Sequence, residues 1–232
     1  MPAMSEARFL RLAAVCSALS AITTLMLIFL PEFYSSAQSF DARMARVHES
    51  AYRLRAWAYL LHPFITLTAA LGIAFVIRHR APVLALVGML GFTWWAFTEA
   101  SQQTLTLFAF DRWRMAYDVA DEAARATIRI NAAMYDGIWD GMYALLLIAF
   151  AIGNVCLGAA LLSGDALARV VAGFMLAACV LTILLFINEI GISLLPEPVL
   201  EWMYPAIQPL GRLLIGVWLW RVASAHLRAY QV

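Results

Sequence analysis

The sequence contains no lysine, and charged residues of all kinds make up only 13% of its 232 residues. Soluble globular domains carry about 25% charged residues. The sixteen basic residues, all arginine, nearly balance fifteen acidic ones, so the chain lacks the basic surface that binds nucleic acid. Because 64% of the residues are hydrophobic, the composition also excludes a disordered chain and an ordinary soluble enzyme.

Metal-binding and cofactor-binding patterns are missing as well. The three cysteines, Cys16, Cys156 and Cys179, lie far apart in apolar segments and form neither a CxxC pair nor a disulfide framework. Of the four histidines only His62 lies within an apolar stretch, and no glycine-rich phosphate loop, GxSxG or HExxH sequence occurs. We therefore expect no metal ion and no cofactor, and we assign no catalytic residue.

Long apolar segments dominate what is present. A helix needs about 20 mostly apolar residues to cross a membrane, and no segment shows the alternation of a membrane β-barrel. The expected fold is all-α, a single domain over 1–232 with six transmembrane helices and two amphipathic helices in its outer loops. The six stretches are 9–30, 57–78, 83–110, 138–162, 168–190 and 199–221.

The arginines predict an orientation. With the flanking helix ends, the two termini and the short turns at 79–82 and 163–167 carry seven arginines against two acidic residues. Positive charge in short segments beside helix ends marks the cytoplasmic side. We expect both termini in the cytoplasm and the chain in a bacterial inner membrane. The first stretch resembles a signal peptide, but it is too long, and we treat it as an uncleaved helix.

The two long outer loops predict amphipathic helices. In 38–56, apolar residues recur every three or four positions from Phe40 and Met44 to Leu54, opposite arginines that begin with Arg43. Such a helix is expected to lie along the membrane surface over 40–55. The loop 111–135 repeats the pattern more weakly, from Met115 to Met134. These helices either cap the bundle or form a gating lid.

Ionisable residues inside apolar stretches are costly and therefore informative. Glu99 lies about 16 Å and Arg212 about 20 Å from the outer ends of their helices, at 1.5 Å per residue. Because a buried partner lowers the cost of a buried charge, we predict an ion pair between them. The alternative is that Arg212 extends towards the interface while Glu99 is protonated.

Other polar residues extend outward from this level. Glutamines follow Glu99 at spacings that put them on the same helix face, whereas the inner halves of the stretches are almost wholly apolar. We therefore predict an outward-facing pocket. Its candidate lining residues are His62, Glu99, Gln102, Gln103, Asp140, Gln208 and Arg212.

The layout resembles a known kind of membrane protein. A long outer loop follows the first helix, a tight basic turn lies at Arg78-His79-Arg80, and the fourth helix contains Trp139-Asp140-Gly141-Met142-Tyr143. In this order of elements and in hydropathy the chain resembles an uncharacterised bacterial family of six-helix integral membrane proteins. The family implies the fold and no catalytic residues.

Three functions fit these features. The first is a membrane protein that binds or moves a small amphiphilic or lipidic ligand in the outward-facing pocket, with membrane lipids around it. The second is a structural or accessory subunit of a membrane complex, partnered by another membrane protein and without a ligand. The third is an intramembrane enzyme with His62 and Glu99 as acid and base, which requires their side chains within hydrogen-bond reach.

Overall fold

The computed structural model is all-helical in the residues it describes, which are 2–34, 36, 38–192, 194 and 196–229. For 2, 3, 197–202, 204, 205 and 229 it describes the backbone alone. The helices are α1 (Pro2–Phe29), α2 (Phe40–Ala45), α3 (Ser50–Ile77), α4 (Pro82–Leu105), α5 (Asp111–Val119), α6 (Glu122–Leu161), α7 (Ala166–Glu189) and α8 (Glu197–Ala229). Short 3₁₀ turns cover Leu30–Phe33 and Arg46–His48, and a π-helical turn covers Thr106–Phe110.

The six long helices α1, α3, α4, α6, α7 and α8 form a closed ring. Each packs against the next in chain order, and α8 returns to pack against α1. Near one end of the ring, Arg78 at the end of α3 donates to Glu6 at 3.3 Å, and Arg11 lies over the Trp220 ring. The start of α1 and the later part of α8 therefore lie at the same end as the short α3–α4 turn.

Five segments of the described chain are long and apolar enough to cross a membrane. They indicate a membrane-spanning protein. The segments are Met4–Phe33, Ser50–Ile77, Pro82–Val119, Glu122–Leu161 and Ala166–Glu189. The sixth predicted span lies in α8, which is a long helix but does not belong to this set, so the count of six spans stays a prediction.

The outer loops differ from the expected amphipathic helices. The predicted helix over 40–55 is divided, because α2 ends at Ala45 and the residues from Ser50 onward belong to α3. Met44 is buried, but Leu54 is 51% exposed. In the second loop, Met115 and Val119 of the predicted apolar face are exposed, while Asp111 and Arg114 are buried. Part of each predicted apolar face is therefore buried and part is exposed, while two charged residues of α5 are buried.

A cap of α2, α5 and the first turns of α6 covers the outer end of the ring. Its apolar cluster is separate from the main core: the Phe110 and Tyr135 rings stack with centroids 4.4 Å apart, and Phe40 meets Tyr117 edge to face. The other buried residues of the cluster are Met44, Ile128 and Ala132. The predicted loops are thus folded against each other, and α6 begins sixteen residues before the predicted span at 138.

The crossing of α4 and α6 requires a glycine. A Cβ atom on Gly91 would lie 2.7 Å from the backbone nitrogen of Gly153 and 2.9 Å from the carbonyl oxygen of Ala149. Backbone atoms of a packed helix cannot move aside cheaply. Small residues allow the backbones of membrane helices to approach closely. At Gly91 the backbones of α4 and α6 pack in this close way.

Gly91→Ala should therefore separate α4 from α6 and lower the stability of the protein by about 1–3 kcal/mol. The matched control is Gly173→Ala, where an added Cβ meets nothing within 4 Å. Thermal unfolding in detergent should show a lower midpoint for Gly91→Ala and an equal or higher midpoint for Gly173→Ala. Equal midpoints for the two variants would contradict the close crossing.

Candidate functional site

Two cavities lie one after the other inside the outer half of the ring. The outer cavity has a volume of about 400 Å³ and lies under the cap. The inner cavity, of about 180 Å³, lies further along the same helices. On α3 the lining residues run in order from Tyr52 in the outer cavity to His62 in the inner one. Four residues line both cavities: Arg55, Tyr59, Tyr143 and Leu146.

The walls of the outer cavity are rich in arginine and tyrosine. The arginines come from both sides of the cap, and Asp136 is the one acidic residue on the described wall. Arg43 binds Asp136 through both terminal nitrogens, one of them at 2.7 Å. The Asp136 carboxylate raises the pKa of the Arg43 guanidinium above its ordinary value. The lining arginines are Arg43, Arg46, Arg55 and Arg114.

Arg114 is held in a buried group of polar side chains. Its Nη1 donates to Asp111 Oδ1 at 2.8 Å and to the Tyr52 hydroxyl, and Tyr52 donates to Asp111 at 3.0 Å. Its Nε is buried and has no hydrogen-bond partner among the described residues. The guanidinium is therefore fixed in direction, with one donor left over.

Arg55 differs from Arg43 and Arg114 in having only neutral partners. Its Nε donates to the Leu27 carbonyl at 3.1 Å, its Nη1 donates to the Tyr34 hydroxyl at 3.3 Å, and its guanidinium lies over the Tyr59 ring. No carboxylate of the described chain lies within 4.0 Å of it. Among the described residues, Arg55 thus has no carboxylate to offset its charge at the junction of the two cavities.

A π-helical turn shapes the cap side of the outer cavity. Thr106 donates to the Gln102 carbonyl and shares a hydrogen bond of 2.7 Å with the Tyr135 hydroxyl, and Phe110 closes the turn. Gln102 itself donates to the Trp139 carbonyl at 3.1 Å. Such turns within a helix often occur at functional sites. Here the turn joins α4 to α5, which carries Arg114 of the outer cavity.

The inner cavity is lined by both apolar and buried polar side chains. Leu147 and Phe150 of α6 and Trp95 of α4 form apolar parts of the wall. Glu99 Oε1 and Gln208 Nε2 are buried, and neither has a hydrogen-bond partner among the described residues. Unsatisfied buried polar atoms are rare in folded proteins. A polar group or a water molecule bound in this cavity would give a hydrogen-bond partner to both the Glu99 acceptor and the Gln208 donor.

A chain of polar contacts forms the floor of the inner cavity and joins three helices. Thr23 of α1 lies 2.7 Å from His62 Nδ1, and Thr66 lies 3.5 Å from His62 Nε2. Arg212 of α8 donates through Nη1 to Thr66, and Ser17 donates to the Arg212 carbonyl at 2.6 Å. These bonds fix the direction of the Arg212 side chain.

The predicted ion pair between Glu99 and Arg212 stays a prediction. Both side chains are buried and line the inner cavity. Arg212 Nη1 donates to Thr66, and five ion pairs form within 4.0 Å elsewhere among the described residues. Those ion pairs are Arg43–Asp136, His48–Asp118, Arg78–Glu6, Arg114–Asp111 and Arg129–Glu122.

Six of the seven predicted lining residues lie at the two cavities. His62, Glu99, Gln208 and Arg212 line the inner cavity, and Gln102 and Gln103 line the outer one. Asp140 is exposed and lines neither cavity. No group of three or more metal-ligating side chains occurs in the described part of the chain.

The arginines of the outer cavity were not among the predicted site residues. Arg43 and Arg46 lie in the polar face of the predicted surface helix, and such faces usually contact water. The cap turns them inward instead. Asp136 lies beside the predicted start of the fourth span at 138, where polar residues are common and do not indicate a binding site. Only the high count of arginine in the two outer loops could have indicated the site.

No protein family, curated protein or solved structure matches this chain.

The polar floor yields a direct test in Thr66→Val. The substitution keeps the shape of the side chain but removes the acceptor of a buried arginine, which costs about 1–3 kcal/mol. Thr182→Val is the control, because Thr182 is equally buried and donates only to the Ala178 carbonyl of its own helix. Thermal unfolding in detergent should show a clearly lower midpoint for Thr66→Val than for Thr182→Val. A lower midpoint for Thr182→Val than for Thr66→Val would contradict the role of Thr66 as the acceptor for Arg212.

Proposed function

We propose that this protein binds a small amphiphilic or lipidic ligand in the outer and inner cavities. The observation that supports this most is the pair of cavities with shared walls at Arg55, Tyr59, Tyr143 and Leu146. The outer cavity offers charged and hydrogen-bonding groups, and the inner one adds apolar walls, such as Trp95, Leu147 and Phe150, to its buried polar groups. An amphiphile has the same two parts in the same order, a polar head and an apolar chain.

The unpartnered polar atoms of the inner cavity support a ligand over a purely structural role. In a subunit whose polar residues only join helices, each buried group is expected to find its partner within the protein. Glu99 Oε1 and Gln208 Nε2 do not do so among the described residues. The alternative, an accessory subunit without a ligand, predicts that both cavities hold only water.

The setting that we propose is a bacterial inner membrane, with six spans and both termini in the cytoplasm. The chain would then belong with the six-helix membrane proteins that it resembles in layout. The cap and the outer cavity would face the periplasm, and a ligand would enter from the periplasm or from the outer leaflet.

Blocking the junction of the cavities tests the binding site. Leu146→Trp should fill the passage that both cavities share, whereas Leu145→Trp adds the same group at an exposed neighbouring position. With the protein in lipid nanodiscs, equilibrium dialysis should show saturable binding of octyl phosphate or octyl glucoside above that of empty nanodiscs. Leu146→Trp should weaken that binding about tenfold, a loss of about 1.4 kcal/mol.

Leu145→Trp should bind the probes as the unchanged protein does. Absence of saturable binding by both probes, or equal affinities in the two tryptophan variants, would overturn the proposal. The accessory-subunit alternative would then be favoured. Thermal unfolding of both variants separates a blocked cavity from a misfolded bundle.

The proposed orientation can be tested with reporter fusions. A fluorescent protein fused after residue 232 should be fluorescent, and alkaline phosphatase fused there should be inactive, because the C-terminus is expected in the cytoplasm. Alkaline phosphatase fused after residue 120, between α5 and α6, should be active. An active phosphatase at the C-terminus would contradict either the sixth span or the orientation.

A further inference from the structure

We infer that the ligand has an anionic head group of the phosphate class, which binds in the outer cavity with Arg55 as its principal charge partner. This inference rests on the proposed function and adds the chemical class of the head group. It is carried by the placement of arginine around one cavity and by the partners that each arginine already has.

The charge balance of the wall is strongly positive. Four arginines line the outer cavity, against the single carboxylate of Asp136 on the described wall. Asp136 is bound by Arg43, and Asp111, which stands behind the wall, is bound by Arg114. Both carboxylates are thus engaged by arginines, while Arg55 has only a carbonyl and a hydroxyl as acceptors. The charge of Arg55 therefore has no matching carboxylate among the described residues, and in a partly enclosed site water screens its repulsion by the neighbouring arginines poorly.

The geometry of the donors favours phosphate over a carboxylate. Arginine, tyrosine and glutamine side chains reach this cavity from α3, α4, α5 and α6 as well as from α2. A phosphate group presents acceptor oxygens in three directions, and arginine binds it with two parallel hydrogen bonds. A carboxylate has only two oxygens in one plane. Donors that surround the cavity from several helices suit the tetrahedral group.

Arg55 also stands where the head group of an amphiphile must stop. It lines both cavities, and Glu99 lies in the wall of the inner one. Beyond Arg55 the inner cavity has apolar walls at Trp95, Leu147 and Phe150, so an apolar chain is favoured there while the head group stays beside the arginines and tyrosines of the outer cavity. Tyr59, whose ring lies under the Arg55 guanidinium, holds that guanidinium at the junction.

Equilibrium dialysis in nanodiscs with three probes tests this inference. Octyl phosphate should bind about tenfold more tightly than octyl glucoside, which has the same chain and a neutral head. Raising the sodium chloride concentration from about 50 mM to about 500 mM should weaken the binding of octyl phosphate far more than the binding of octyl glucoside. Inorganic phosphate should compete only weakly, because it lacks the chain.

Arg55 variants locate the site. Arg55→Met should reduce the preference for octyl phosphate over octyl glucoside about tenfold, and Arg55→Lys should retain part of it because the charge remains. The control is Arg112→Met, which removes an exposed arginine outside the described lining of both cavities. Thermal unfolding checks that each variant is folded. If Arg55→Met does not fold, Arg55→Lys still tests the role of Arg55.

The outcomes separate this inference from the proposed function. If octyl glucoside binds as tightly as octyl phosphate and Leu146→Trp weakens both, the anionic head group is wrong and the amphiphile site stands. If inorganic phosphate binds as tightly as octyl phosphate and both need Arg55, the anion site stands and the amphiphile is wrong. If the preference for octyl phosphate persists in both Arg55 variants, Arg55 is not the charge partner and the inference is overturned.

Discussion

The buried guanidinium of Arg212 imposes the constraint on which the interior depends. A charged group in the middle of a helix bundle must be solvated by protein, because apolar surroundings offer it nothing. Thr66 accepts from Arg212, His62 lies between Thr66 and Thr23, and Ser17 binds the Arg212 backbone. These contacts tie α8 to α3 and α1, so the helix that closes the ring is held by hydrogen bonds as well as by packing.

The cap is a second consequence of burying polar groups. Arg43 and Arg114 can line an inner surface only because α2 and α5 carry enough apolar side chains to pack as a small core of their own around Phe110 and Tyr135. That core lies outside the main one and does not extend it. The arginines are therefore presented to the outer cavity by a scaffold that folds over the end of the ring.

Hydropathy and the cost of buried charge predicted the membrane class, the positions of the long apolar segments and six of the cavity residues. They failed where tertiary packing reverses a local pattern. Met115 and Val119 have the spacing of an apolar face, yet the buried residues of α5 include Asp111 and Arg114, because the partner surface is polar. Helix rise predicted one level for Glu99 and Arg212, and both line the inner cavity, but no pattern in the sequence indicates that Arg212 donates to Thr66.

The polarity of the interior changes in steps along the ring axis, and the steps limit what can occupy it. The outer cavity combines four arginines with tyrosine hydroxyls, the junction has one arginine with neutral partners, and the inner cavity ends at a carboxyl group and a floor closed by Arg212. An anion is favoured beside the four arginines of the outer cavity, while an apolar chain is favoured beside Leu147 and Phe150. Under the proposed function, this order of groups would place the anionic head of an amphiphile at the outer cavity and its apolar chain further inward.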